Sequence, residues 1–346
     1  LKIEKCVQGG AGFARLPNGS VCFVDGALPG EVVEIKVIEK KKDFVKAGIV
    51  KILEPNIKRR IPPCQYYGKC GGCNAQYAEF ELQIELLRQI ILDLFSRTAK
   101  ISLPQNFEIH YGAEWGYRCR AKVFFQMRGS NTIIPVEKCM ILSKKLNEKL
   151  KEISLTKRVR LFDNQSEFYL GKHIYADESV FFQNNLQLLP KLIDEVRRAA
   201  GKGKLLLDIF CGVGLFSAFL QSEFERVIAI EQNPLCQKFA EKNLGKNCAF
   251  YTTSAEEWLG KNAGILSDAC VLIDPPRTGI SNEACDILCK NKTGKLIYVS
   301  CNPATLARDT RKLLNCGYEL TNIQGFAFYP QTFHLEIMAV FNPSCT

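Results

Sequence analysis

From residue 203 onward the chain alternates between apolar runs and amphipathic stretches, and this alternation limits the fold more than any other feature. "GKLLLDIF" meets the Gly-rich turn "CGVG" and then the helical "LFSAFLQS". "RVIAIE", "ACVLID" and "KLIYVSC" are further apolar runs, with the helical "PLCQKFAEKNL" after the first. A helical stretch, "NNLQLLPKLIDEVRRAA", leads into the series. Strand–helix alternation of this kind predicts an α/β fold with a doubly wound, Rossmann-like parallel sheet. Ligands of such sheets sit beyond the carboxyl ends of the strands. The Gly212 turn, Asp274 before Pro275-Pro276, and Cys301 before Asn302-Pro303 all lie at such ends. One crevice should collect them.

The rest of the 346 residues reads differently. Residues 1–56 are short β-branched runs such as "GSVCFVDG" and "EVVEIKVIEKK", separated by turn chemistry in "LPNGS" and "ALPGE". They predict a small β-barrel of OB type. Residues 1–60 hold 12 Lys/Arg against 7 Asp/Glu, and the whole chain carries +10. A basic N-terminal module points to a polyanionic partner, nucleic acid above all. "EPNIKRRIPPC" reads as a linker. Apolar spacing in "QYAEFELQIELLRQIILDLFSR" predicts an amphipathic helix within 74–100. About 105–180 reads as an antiparallel sheet. No run approaches the 18 apolar residues of a membrane span, and no membrane partner is expected. The division expected is 1–56, 57–175 and 176–346, with a monomeric chain.

Four sets of residues carry chemistry. Asp208, Gly212 and Gly214 sit at a strand-to-helix turn, and Glu231 ends the next strand, where an acidic side chain meets ribose hydroxyls. Ser217 replaces the third glycine of G-x-G-x-x-G, so a pyrophosphate cradle is disfavoured. D-x-F-x-G-x-G followed by a strand-terminal Glu resembles the cofactor turn of S-adenosylmethionine (SAM)-dependent methyltransferases; a plain βα turn is the alternative. Second, "CQYYGKCGGC" gives Cys64-x5-Cys70-x2-Cys73, which is metal-ligand spacing. Cys119 and Cys139 are candidates for a fourth ligand, and Cys139 is preferred because Cys119 reads as an internal strand residue. Zinc and an iron–sulfur cluster both suit four thiolates. The many remaining cysteines are spread through core-like segments, which fits a reducing, cytoplasmic setting. Third, Cys301 is either a small buried hydrophobe or a nucleophile at a strand end. Fourth, Glu336 interrupts the apolar strand of "HLEIMAVF" after His334. It is either a base tuned by burial or an edge-strand carboxylate facing water.

Together these residues resemble the RNA (uracil-5-)-methyltransferase family over nearly the whole chain. "DIFCGVG", "DPPRTG", "SCNPATLARD" and "HLE" follow in family order, and "SCNPATLARD" is the most specific of them. The resemblance implies a TRAM domain at the N-terminus and a [4Fe–4S] cluster on Cys64, Cys70, Cys73 and Cys139. It implies SAM contacts at Gln183, Phe210, Gly212, Gly214, Glu231 and Asp274. It also implies that Cys301 adds to uracil C6 while Glu336 removes the C5 proton, which is covalent catalysis. Cluster plus TRAM points to the 23S rRNA branch. The T-loop uridine of tRNA is the alternative substrate, and a non-catalytic RNA-binding protein is the alternative of another class. Three positions depart from the pattern. Leu215 stands where the family has Asn or Thr, Cys119 stands where a polar residue is expected, and "HLE" replaces the commoner "HVE".

Overall fold

A computed structural model of the chain describes residues 1–123, 134, 136–151, 159–162, 167–169 and 171–344. The N-terminal part is a five-stranded sheet of β1 (Lys5–Cys6), β2 (Gly12–Arg15), β3 (Val21–Asp25), β4 (Val32–Lys40) and β5 (Phe44–Glu54), in the order β1-β2-β3-β5-β4. Period-2 alternation selects its inner face: Ala14, Cys22, Val24, Val33 and Val45 pack into a core of their own. The expected barrel is this sheet, but its two edges meet through one bridge, Lys2 to Val32, instead of a continuous ladder. Gly9 and Gly10, both with positive φ, turn the chain before β1 can lengthen.

The predicted amphipathic helix is α1 (Phe80–Leu94), running on through a π-helical turn at Phe95–Ala99. Its apolar stripe, including Leu82, Leu86 and Ile90, is buried. It starts later than residue 74 because 74–79 are held outside the helix: Tyr77 O accepts from Arg60 N, and Ala75 N donates to Gln331 O. The region expected to form one antiparallel sheet does not do so among the described residues. It gives β6 (Ile109–His110), β7 (Arg120–Val123), α2 (Lys144–Lys151), β8 (Val159–Phe162), β9 (Glu167–Tyr169) and β10 (Lys172–Ile174). β7 pairs with β8 and β9 with β10, while β6 joins the main sheet. The parts of that expectation at 124–133, 135, 152–158, 163–166 and 170 lie outside the described residues.

The remainder is the alternating unit. Its elements are α3 (Leu189–Ala200), β11 (Gly203–Ile209), α4 (Leu215–Leu220), β12 (Phe224–Glu231), α5 (Gln237–Asn243), β13 (Cys248–Thr252) and α6 (Ala255–Asn262). They continue with β14 (Ala269–Ile273), α7 (Asn282–Lys290), β15 (Lys295–Ser300), α8 (Pro303–Asn315), β16 (Tyr318–Tyr329) and β17 (His334–Pro343). α3 begins five residues later than residue 184, with Pro190 in its first turn, where a missing N–H costs nothing. The sheet order is β13-β12-β11-β14-β15-β17-β16-β6. β11 to β15 are parallel, and β17 is antiparallel to both β15 and β16. All five residues of β14 are buried, as a strand covered on both faces requires. Strand order reverses between β11 and β14, which opens a crevice beyond their carboxyl ends.

One cysteine pair, Cys289 and Cys316, is bonded across the ends of α7 and α8. The other described cysteines are free. No helix among the described residues is long and apolar enough to cross a membrane.

Candidate active site

The crevice is a cavity of about 1280 Å³. Of the residues singled out in the sequence, Gln183, Phe210, Gly212, Glu231, Asp274, Cys301 and Glu336 line it, together with Cys64, Cys70, Cys73 and Cys139. Gly214 does not. It sits at the start of α4 with φ 78°, and a Cβ there would come 3.0 Å from Leu244 Cδ2, so it serves the turn and its packing.

The turn after β11 is built by backbone conformation and two carboxylates. Phe210 and Gly212 both have positive φ, at 64° and 55°. Glu231 clamps the turn: its Oε2 accepts from Gly212 N at 3.0 Å and its Oε1 from Asn233 N at 2.8 Å. Each oxygen keeps a lone pair for a hydroxyl. Asp208 is fully buried, and its Oδ2 accepts from Ser217 N at 3.0 Å and Ser217 Oγ at 2.6 Å. Asp208 thus accepts from the first turn of α4 through Ser217, the residue that breaks the dinucleotide fingerprint. Leu215 is buried in the apolar core on this side of the sheet.

Cys301 follows β15, and α8 begins two residues later. Asn302 caps that helix, its Oδ1 accepting from Ala304 N at 3.2 Å. Asn302 Nδ2 donates to Arg277 O at 2.9 Å, tying the loop after Cys301 to the loop after Asp274. Glu336 sits on β17, which lies between β15 and β16, so it is not an edge-strand residue. Ser300 pairs with Ile337 at the end of the β15–β17 ladder, Cys301 and Glu336 are the next residues on the two sides, and Glu336 pairs with Phe326 on β16.

Charge is concentrated here. Burial pushes the Glu336 carboxyl up to about 7, with Arg277 pulling the other way. Burial, then Glu336, Asp208 and Glu231, hold the Asp274 carboxyl well above the usual range. Burial, Glu336 and Asp274 push the Cys301 thiol up to about 11, opposed by Arg277. Burial pushes the His334 imidazole down, and Arg277 and Arg118 add to it. Clustered carboxyl groups favour a cationic occupant. Gln183, only 3 % exposed, leaves its Oε1 without a partner, an acceptor kept for a ligand. A sulfonium-bearing nucleoside suits that set of groups.

Among the described residues no group of three or more His, Cys, Asp or Glu could hold a single metal ion. The four cysteines nonetheless converge. Burial pushes the Cys73 thiol up to about 12, and Cys139, Cys70 and Cys64 add to the rise. Cys119 stands apart and donates to Asn184 O at 3.2 Å and Gln183 O at 3.5 Å. It braces Gln183, which explains a thiol where a polar residue was expected. Arg118, Arg277, Tyr329 and His334 also line the cavity. The sequence reading placed no role on them; for Arg277 the signal was its place in "DPPRTG".

Comparison with known proteins agrees with this geometry. The family described as tRNA (uracil-5-)-methyltransferase matches residues 166–342, and the TRAM domain matches residues 1–50. An uncharacterized RNA methyltransferase of Aquifex aeolicus is 32 % identical, covering 98 % of this chain and 97 % of its own. The 23S rRNA (uracil(1939)-C(5))-methyltransferase RlmD of Shewanella amazonensis is 30 % identical, covering 99 % and 95 %. In fold, the chain is similar to the Pyrococcus abyssi tRNA (uracil-54, C5)-methyltransferase, solved with S-adenosyl-L-homocysteine. The TM-score is 0.71 at 19 % identity, over 99 % of each chain. A SAM-type crevice, a thiol facing a buried carboxyl, and these matches lead to one conclusion: the chain belongs to the RNA (uracil-5-)-methyltransferase family, enzymes that methylate uracil C5 in RNA with SAM, and it carries a TRAM domain.

Proposed function

We propose that the protein methylates C5 of a specific uridine in 23S rRNA, with Cys301 as nucleophile and Glu336 as base. The observation that carries this reading is that Cys301 and Glu336 line one crevice, each one residue beyond the last β15–β17 pair, Ser300 with Ile337. Uracil C5 is a poor nucleophile. The Cys301 thiolate forms an S–C6 bond, and the C5=C6 electron pair moves toward O4 as an enolate. SAM, when bound, would supply an electrophilic methyl group to C5 and leave as S-adenosylhomocysteine. Glu336 removes the C5 proton, the C5=C6 bond re-forms and the thiolate leaves. The thiolate begins and ends the cycle, so each turnover releases the C5 proton and S-adenosylhomocysteine beside the methylated base. Gln183, Phe210, Gly212, Glu231 and Asp274 would hold the cofactor. The cavity has room for a nucleoside beside it, and the uracil must leave its stack to reach Cys301.

Cys64, Cys70, Cys73 and Cys139 would hold an iron–sulfur cluster. The support is that all four thiols line one cavity and that Cys139, Cys70 and Cys64 all act on the Cys73 thiol. Methyl transfer is redox-neutral, so the cluster would order the loop. The 23S rRNA target rests on relatives named for it, such as the Shewanella amazonensis protein. The tRNA T-loop is the second reading, favoured by the whole-chain likeness to the Pyrococcus abyssi protein. The division 1–56, 57–175 and 176–346, a monomeric state and a cytoplasmic location complete the proposal.

Purified protein should be given 23S rRNA and tRNA transcripts side by side, with labelled SAM. 5-Methyluridine in rRNA alone is the expected result; label in tRNA alone would move the assignment to the second reading. Cys301→Ala should abolish turnover on either RNA. Glu336→Gln should trap a covalent RNA adduct, and its failure to do so would remove Glu336 from the base role.

A further inference from the structure

Gln331 lies in the turn between β16 and β17, three residues before His334 and five before Glu336. It is fully buried, yet its φ is 69°, a conformation that a non-glycine residue adopts only when its surroundings impose it. Those surroundings are specific. Gln331 N donates to Gln83 Oε1 at 3.0 Å, and Gln83 Nε2 donates back to Gln331 Oε1 at 3.2 Å. Arg60 Nη2 donates to the same Oε1 at 3.1 Å. Gln331 Nε2 donates to Glu114 Oε1 at 2.9 Å, and Glu114 is ion-paired with Arg60. Gln331 O accepts from both Asn74 N and Ala75 N at 3.0 Å. Asn74 Oδ1 then takes the Phe333 N–H at 3.2 Å. Every polar group of this glutamine is used, by partners more than 200 residues away in sequence.

None of Gln331, Gln83, Arg60 and Glu114 lines the cavity. The network therefore stands outside the cavity wall. It fixes the turn from which β17 departs, and β17 carries Glu336. Two catalytic groups with different anchors result. Cys301 is held by β15 and the start of α8, whereas Glu336 pairs with Phe326 on β16 beside an irregularity in that ladder, between Phe326 and Tyr329, that the 330–333 turn closes.

We propose that Gln331 is a positioning residue for the base: it locks this turn so that Glu336 meets the C5 proton, and it leaves Cys301 addition unaffected. The inference rests on the proposed uracil chemistry. A displacement of about 1 Å in a reacting group costs up to about 10²-fold in rate. Asn tolerates positive φ but is one methylene too short for these contacts, so Gln331→Asn isolates the side chain from the backbone.

The experiment uses full-length enzyme and RNA labelled with tritium at uracil C5. It follows tritium release, covalent adduct on denaturing gels, KM for RNA and thermal unfolding. The expected result for Gln331→Asn is tritium release slowed about 10- to 100-fold. KM should be unchanged, adduct should accumulate above the wild-type level, and Tm should stay within a few degrees. Gln83→Leu, which removes the partner on α1, should repeat this pattern and serves if Gln331→Asn does not fold. Unchanged release, or adduct and release falling together with Tm, would overturn the proposal. Wild-type enzyme that methylates normally while both variants do too defeats this inference alone. Wild-type enzyme that releases no tritium from any RNA defeats the uracil reading, and this inference with it.

Discussion

At Cys301, reactivity and environment oppose one another in the free protein. A thiol near 11 is ionised in about one molecule in 10⁴ at pH 7. The neighbouring carboxyls of Glu336 and Asp274 contribute to that, and a cationic sulfonium between them would relieve it. Glu336 acts only when ionised, and its carboxyl is pushed up to about 7. With SAM bound, the Glu336 requirement should therefore make activity fall about tenfold per unit below that pH, a limb measurable in kcat. Arg277 lowers both Glu336 and Cys301, so Arg277→Ala should move the limb to higher pH. An unshifted limb would show that the exposed guanidinium is screened. Cys301 and Glu336 were legible because each breaks a local pattern, a thiol before Asn-Pro and a charge in an apolar strand. Arg277 was not, because an arginine after Pro-Pro reads as ordinary surface until its loop is seen tied to Asn302.

Among elements, β17 shows what function costs. A central strand with a carboxyl at Glu336 is less stable than one with an apolar residue there. The folded-state value near 7 lies above the ordinary 4.5, so the penalty grows as pH rises from 4.5 to 7 and is complete above that. Glu336→Leu should then gain about 1–3 kcal/mol in urea unfolding at pH 8 and almost nothing at pH 4. A gain independent of pH would mean packing, not charge, is responsible. β11, β12, β14 and β15 were readable as apolar runs between helical patterns. β13 was not picked out: of its five residues only Ala249 and Phe250 are apolar beside Cys248, and none is fully buried. Among the described residues the antiparallel expectation for the middle of the chain holds only for the pairs β7–β8 and β9–β10, since β6 is two residues long and finds its partner in β16, far away in sequence.

Across the whole molecule, the N-terminal sheet is joined to the rest by polar groups as well as apolar ones. Glu31, fully buried, receives Arg59 Nε at 2.5 Å, Leu28 N at 2.8 Å and Asn56 N at 3.1 Å. Burial pushes its carboxyl up, but Arg59 and the two backbone donors outweigh this and hold it below the usual range. Its contribution is thus present above the ordinary carboxylate range and lost as pH falls through the depressed value. Arg59 also stacks on Tyr77, at 4.9 Å from the ring centroid. Arg59→Ala should cost about 3 kcal/mol, because it strands a buried carboxylate. Thermal unfolding at pH 7 would test this, and a loss below about 1 kcal/mol would place the joint elsewhere. Gly10 is a second joint: a Cβ there would come 2.0 Å from Phe333 Cδ2, so the β1–β2 turn packs directly on the turn that leads to Glu336.

The sequence by itself determined the parallel sheet, the amphipathic α1, the glycine turn and the thiol at a strand end. These depend on periodicity and on residues that leave the backbone few choices. The tertiary structure decided which strand lies beside which. By placing β17 between β15 and β16 it turned Glu336 from a possible surface carboxylate into a buried one facing Cys301. It also decided the use of Gln331, a residue with no local signature, because every partner that fixes its conformation comes from a distant part of the chain.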